Sequence, residues 1–288
     1  GQDVPLMSPA SLKQMLRLGR FGLAFRRMGA DRMRHFLQVI LSNAYDLILD
    51  EMPDGPLAGI LAADAVRGAA AGPRSPGTVF NLVYRYGHGG TITRPKDGMA
   101  AVIRAFAQAA QDAGCDILTG TRVTRILMQD NAVTGVETAT GGPIHARLVF
   151  TSSGPKAACQ MAGVAEFDIE PARRIRNIRA RGTVAQLNFQ LSEPLTIPHA
   201  PTDTATRLIL APSAEYVELA FNPAKYGAMS EAPVIEASIT HTAGGTPCLS
   251  ALVQYAPYDL KGGWTEAAEA QLAALTRSAL GPHISGLS

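Results

Sequence analysis

DAGCDILTGTRVTRILMQDNAVTGVET, residues 112–138, closes one helix, offers a short strand and then opens a β-meander. The helix begins upstream, where Asp97 is an N-cap candidate and Met99, Val102, Ile103, Phe106, Ala109, Ala110 and Ala113 recur at helical spacing. Gly114 is the expected stop, because a helix C-terminus favours a residue that tolerates the left-handed region. CDILTG then reads as a strand. TRVTRILMQ and NAVTGVETA are two further strands joined at an Asp130-Asn131 turn, and IHARLVFTSSGP ends in an apolar strand stub, Leu148-Val149-Phe150, broken by Gly154-Pro155. In an open α/β sheet, ligands meet the loops at the carboxyl ends of the strands, which points to Thr119–Thr121 and Ser152–Gly154. The sequence nevertheless contains no G-x-G-x-x-G to grip a dinucleotide pyrophosphate.

The flanks read differently. SPASLKQMLRLGRFGLAFRRMGADRMRHFLQVILSNAYDLILDEMP is helical, with Ser11 and Asp31 as N-cap candidates and breaks near Gly29 and Pro53. Its first helix has an apolar face and a face of Lys13, Arg17, Arg20, Arg26 and Arg27, and no acidic residue occurs from Ser11 to Gly29. Such a face either lies on an anionic membrane surface or is the solvated side of a packed helix. GPLAGILAADAVRGAAAG is another helix, stopped by Pro73 and Pro76. TVFNLVYRYGHGGTITRP, rich in β-branched and aromatic residues, is expected as strand and loop. Its GHGG resembles an oxyanion-hole loop, but the chain has no G-x-S-x-G nucleophile elbow to go with it. Downstream, a basic segment with Arg173, Arg174, Arg176, Arg179 and Arg181 leads into a strand whose apolar members are Val184, Leu187, Phe189 and Leu191. TRLILAP, YVELAF, PVIEASIT and CLSALVQYAPY are expected strands of an antiparallel sheet, and Thr265–Leu280 is a closing helix.

Composition narrows the function classes. The 288 residues are 47% hydrophobic and 17% charged, which is globular, and a net charge of +2 gives no electrostatic footprint for nucleic acid. The arginine cluster at 173–181 is interleaved with Ile175 and Ile178 and lacks aromatic stacking residues, so nucleic acid is not an expected partner. Three scattered cysteines without a C-x-x-C suit reduced thiols in a cytoplasmic setting and disfavour a metal site. No secretory signal or spanning apolar run is present. The start at Gly1 and the stop at GPHISGLS, just after a helix, suggest a fragment of a longer polypeptide.

Taken in order, residues 77–142, IRARGTVAQLNFQLSEPL and LSALVQYAPYDLKGGW resemble the middle of the phytoene-desaturase-like FAD oxidoreductases. More narrowly, they resemble the group of pyridine nucleotide-disulfide oxidoreductase domain-containing protein 2 and its bacterial relatives. The resemblance implies an α/β (α+β) chain in which a partial FAD-binding domain is inserted in a substrate domain of antiparallel sheet plus helices. The expected divisions are 1–90 for the helical part of the substrate domain with its first strand, 91–163 for the partial FAD domain, and 164–288 for the sheet and terminal helix.

By the same resemblance, Val123 matches the position whose backbone meets the adenine, and Pro95–Met99 matches a P-x-G-G-M loop in which Asp97 replaces the first glycine. Gln186 stands where relatives carry a lysine. Gly98, Met99, Val123, Ser153 and Gly154 are thus the cofactor-side candidates, although a strand core, a helix start and a strand-to-helix turn would explain them equally. Tyr84, Tyr86, His88, Gln254, Tyr255 and Tyr258 are the substrate-side candidates, as walls of an apolar pocket on adjacent strands, with sheet packing as the alternative. His88 is the candidate general base. The implied reaction is hydride transfer from an apolar small-molecule substrate to FAD in the full-length protein, with no FAD held by this chain alone. A substrate-domain interaction module, a possible homo-oligomer and a membrane-surface protein are the other expectations.

Overall fold

The computed structural model describes residues 12–87, 95, 98–191, 207–241 and 247–284. The chain is of the mixed α/β class, with antiparallel sheets, and divides into two units. The first is Gly1–Gly90 with Arg181–Ser288, and the second, Thr91–Ala180, is inserted in it.

The first unit opens with five helices, α1 (Leu12–Arg27), α2 (Ala30–Leu41), α3 (Ala44–Glu51), α4 (Pro56–Val66) and α5 (Thr78–Gly87). Gly29, at φ +82°, caps α2, and Asp31 lies inside its first turn, paired with Arg34 at 3.1 Å, instead of serving as the cap. Residues 78–87, expected as a strand, are thus the helix α5. Val79, Leu82 and Tyr86 fall three and four apart, a helical spacing, and Val79 is fully buried in the core shared with α3 and α4. For a short apolar run that packing outweighs the strand preference of its β-branched and aromatic residues.

Four strands, β4 (Val184–Gln190), β5 (Arg207–Leu210), β6 (Val234–His241) and β7 (Pro247–Gln254), form an antiparallel sheet in the order β4-β7-β6-β5. YVELAF, expected as a strand, lies in helix α9 (Ala214–Phe221). Its start is fixed by capping: Ser213 accepts from the Tyr216 amide at 3.0 Å, and the Asp54 carboxylate accepts from the amide of Ala214 at 2.7 Å. Ala214, Val217 and Ala220 then bury one stripe of the helix.

Period-two alternation sorts the sheet's side chains onto two faces. Leu187, Phe189, Ile235, Ala237, Leu249, Ala251 and Val253 pack together with Leu272 and Leu280 of the last helix, α10 (Glu266–Leu280). The opposite face carries Val234, which joins the core of α3, α4, α5 and α9. Val184, an apolar member of the same strand, sits three residues from Leu187 and so belongs to the opposite face. Helix α4 lies very close to the start of α9: a Cβ on Gly59 would collide with the Ala211 carbonyl oxygen and stand 2.8 Å from the Ser213 nitrogen.

The second unit holds α6 (Gly98–Asp112), the meander β1 (Val123–Gln129), β2 (Ala132–Thr138) and β3 (Gly142–His145), and the helices α7 (Pro155–Ala162) and α8 (Ile169–Arg176). Asp130 and Asn131, at φ 49° and 61°, make the expected turn between β1 and β2, the left-handed pair that suits the strand twist. CDILTG and Leu148–Phe150, however, pair with no strand among the described residues. A strand is held by its neighbour's ladder, and without one these apolar stretches stand open, Leu148 67% and Phe150 89% exposed.

Candidate functional site

The most developed polar site in the described residues belongs to the first unit, where the end of α4 crosses the sheet face opposite α10. That crossing is stitched by side chains reaching the helix's unpaired terminal carbonyls. Gln254 donates to the Val66 carbonyl at 2.8 Å and accepts from the Gly68 amide at 3.2 Å, while Asn81 donates to the Ala65 carbonyl at 3.2 Å. Thr183 and Tyr255 donate to the carbonyls of Ala69 and Ala71, each at 2.9 Å. Together they hold Asp64 and Arg67 over the sheet.

Between them lies a cleft of about 170 Å³. Ala63, Val184, Ile209, Val234 and Leu252 make its apolar walls, and Asp64, Arg67, Arg207, Glu236 and Gln254 its polar end. Asp64, with its side chain only 8% exposed, is the centre of a charge network. Its Oδ1 meets Arg85 Nη2 at 3.0 Å and Arg207 Nη2 at 3.6 Å, and its Oδ2 accepts from the Tyr86 hydroxyl at 2.9 Å. Glu236 Oε1 accepts from Arg67 Nη2 at 2.7 Å and from Arg207 Nε at 2.8 Å. The bond to Glu236 raises the Arg207 pKa above its ordinary value. Burial first, and then the bond to Asp64, raises that of Tyr86, which keeps its hydroxyl a donor. Every buried side-chain nitrogen and oxygen among the described residues has a partner.

The substrate-side candidates scatter around this cleft. Gln254 lines it, and Tyr86 reaches it through Asp64. Tyr84 stacks on Phe80 at 6.2 Å along α5. Tyr255 is fully buried, its ring 5.1 Å from that of Phe221 and its hydroxyl pushed well above the usual tyrosine range by burial, so it is part of the core. Tyr258 is exposed. His88 lies outside the described residues. Because residues 78–87 are helical, Tyr84 and Tyr86 do not stand on a strand beside Gln254 and Tyr255. Sequence reasoning passed over Asp64, Arg67, Arg85, Arg207 and Glu236. Two signals were available: a lone acid inside the small-residue run LAADAV, and a glutamate in PVIEASIT on the strand face away from Ile235 and Ala237.

The cofactor-side candidates all lie in the second unit. Gly98, at φ +69°, opens α6, with its amide donating to the Pro95 carbonyl at 3.1 Å, and Met99 is exposed. Gly154, at φ +85°, precedes Pro155 at the start of α7. Ser153 is tied to Thr151 by a hydroxyl contact of 2.7 Å. Val123 pairs with Thr138 at the first rung of β1, next to an irregularity in the ladder. Each is held by its own element, and both glycines adopt a backbone conformation that L side chains rarely take. As an FAD site they fit only in part: they offer open helix starts and a strand edge, but the sequence supplies no glycine-rich turn for the pyrophosphate. No metal-binding group of His, Cys, Asp and Glu occurs among the described residues, and none of their helices is long and apolar enough to cross a membrane.

Residues 46–246 match the family model FAD dependent oxidoreductase. Pyridine nucleotide-disulfide oxidoreductase domain-containing protein 2 of Rattus norvegicus is 27% identical over 92% of this chain and 50% of its own length. Its Mus musculus counterpart is 26% identical over 91% of this chain and 48% of its own length. The chain therefore spans about half the length of the curated relatives it matches. In fold it is similar to an oxidoreductase from Methanosarcina mazei, with a TM-score of 0.51 at 15% identity over 89% of this chain and 58% of that one.

Proposed function

The chain belongs to the FAD dependent oxidoreductase family, and from that premise we propose that it comprises the substrate side of such an enzyme together with the adenine-side part of its cofactor domain. The family match over residues 46–246 carries this reading, because it runs through both units. The likeness of residues 77–142 to phytoene-desaturase-like enzymes supports oxidation at a C–H bond as the reaction. The apolar walls of the cleft support a substrate with an apolar body. FAD, when bound, supplies the two-electron acceptor, and the protein's share is to bind, orient and shield the substrate.

Gly98, Met99, Val123, Ser153 and Gly154 would then border the cofactor, and the chain on its own does not retain it, for want of a pyrophosphate grip. The test is absorbance near ~450 nm, where an organised flavin site shows itself. The purified 288-residue chain, incubated with FAD and desalted, is expected to be colourless, whereas the protein from the whole open reading frame is expected to carry flavin. Stoichiometric flavin on the chain alone would overturn the proposed incompetence. A whole protein that holds no flavin would overturn the enzymatic reading.

A further inference from the structure

We propose that the cleft under α4 is a binding site for a small organic monoanion, with its charged end on Arg67 and Arg207 and its apolar body along Val184, Ile209, Val234 and Leu252. This deepens the reading of the first unit as the substrate side and rests on it.

Three observations lead there. Among the described residues, Arg67, Arg85 and Arg207 pair with Asp64 and Glu236 alone, so these five groups carry an excess of one positive charge. The donors and acceptors are also unequally used. Both oxygens of Asp64 are engaged and one oxygen of Glu236 takes two guanidiniums, whereas Arg67 spends one nitrogen on Glu236 and Arg207 spends two on its carboxylates. A guanidinium carries five N–H donors and a carboxylate about four acceptor sites, so among the described residues the unspent hydrogen-bonding capacity of the cleft is mostly cationic donor, with the second oxygen of Glu236 as the chief acceptor left over. The Arg67 and Arg207 side chains are 29% and 35% exposed, so part of this spare donor capacity is open to solvent or ligand.

Size and walls set the rest. At about 170 Å³ the cleft is smaller than ordinary drug-sized sites, which run to roughly 300–1,000 Å³. The apolar part of the lining is aliphatic, from Ala63, Val184, Ile209, Val234 and Leu252. A carboxylate with a short alkyl chain matches both ends: guanidinium binds carboxylate through paired N–H donors, and the alkyl part gains by leaving water. An amine fits less well, because one oxygen of Glu236 already takes both guanidiniums and their positive charge opposes a further cation at the other.

The experiment titrates the full chain with hexanoate, hexan-1-ol and hexylamine, following amide shifts by NMR without flavin. Hexanoate is expected to bind at least about tenfold more tightly than either other probe, since losing one charge-assisted pair costs on the order of a tenfold change. Arg67→Gln should lose that preference while Glu236 keeps Arg207 at 2.8 Å. Leu252→Phe should block hexanoate by filling the apolar wall and leaves every ion pair in place. Should Arg67→Gln fail to fold, Arg67→Lys, with the charge retained, is expected to bind hexanoate and Leu252→Phe still to exclude it. No hexanoate binding, equal binding of hexanol, preferential binding of hexylamine, or hexanoate binding unaltered in Arg67→Gln or in Leu252→Phe would each overturn the proposal. Because flavin is absent throughout, these outcomes are independent of whether the cofactor reading stands.

Discussion

Asp64→Ala removes the one buried carboxylate on which α4, α5 and the sheet converge. Breaking a fully buried ion pair costs about 3–5 kcal/mol, and an exposed one about 0–1 kcal/mol. Asp64 is 8% exposed, but Arg85 and Arg207 are 29% and 35% exposed, so water recovers part of what they lose. Arg207 also keeps Glu236. That places the ionic loss at about 1–2 kcal/mol. The Tyr86 hydroxyl, on a half-exposed ring, adds about 0.5–1 kcal/mol. The expected total is about 1.5–3 kcal/mol, and Asp64→Asn, which keeps the shape and an acceptor, should lose about half as much. Trp264 is the sole tryptophan and lies in the first unit, where its indole donates to the Pro257 carbonyl at 3.0 Å. Its fluorescence during urea denaturation therefore reports on that unit. A loss for Asp64→Ala below about 0.5 kcal/mol, the scatter of ordinary surface changes, with unchanged m-value would refute the view of Asp64 as a structural centre.

Two further outcomes test the frame around the cleft. Gly59→Ala would drive a Cβ into the Ala211 carbonyl and against the Ser213 nitrogen; both are backbone, so the loss expected by the same Trp264 assay is about 1–3 kcal/mol, in spite of alanine's better helix propensity. Tyr255→Phe removes the bond to Ala71, at about 1 kcal/mol at pH 8. Burial holds the Tyr255 hydroxyl above its ordinary value, so as pH rises past about 10 the unfolded chain releases this proton while the folded one keeps it. The stability present below that value is thus lost with rising pH, and the gap between wild type and Tyr255→Phe should narrow from pH 8 to pH 10.5 or so in urea titrations. A gap that widens would contradict the burial argument.

Legibility in the sequence followed the kind of signal each element carries. The β1–β2 hairpin announced itself by local chemistry, an Asp-Asn turn between two strand-like runs, and α10 by its apolar spacing. Residues 78–87 and 214–221 misled because a run of eight to ten apolar, aromatic and β-branched residues suits either conformation. What decided them was tertiary: burial of Val79, and capping of α9 by Asp54, a residue 160 positions away from Ala214. The cleft was illegible for a related reason. Arg67 and Glu236 are separated by 169 positions, and Arg207 reaches Asp64 only because β5 is the sheet's edge strand beside β6. No spacing within the sequence encodes such a pairing. Gln254 was selected as a pocket wall on a strand, and it does line the cleft, yet its amide is spent on the end of α4.

The two units differ in how far their own residues satisfy them, and that difference bears on function. In the first unit, apolar strand residues alternate between a face closed by α10 and one closed by α4 and its neighbours, and the charged residues between them find partners within the unit. In the second, the hairpin and its third strand are paired, but Ile117, Leu118, Leu148 and Phe150 are all exposed. Such sequences are what a strand buried on both faces requires: near-continuous apolar side chains on a backbone whose N–H and C=O groups need ladders on either edge. Their exposure leaves CDILTG and Leu148–Phe150 open to pairing with further strands. A dinucleotide crevice opens at the carboxyl ends of such strands, and under the proposed function the loops at Thr119–Thr121 and Ser152–Gly154 would border it once those strands are paired. The proposed anion binding, by contrast, depends on ion pairs already made within the first unit. Anion binding at the cleft should therefore survive conditions under which the cofactor side is not assembled, which is why hexanoate titration of the flavin-free chain is the sharper test of the two.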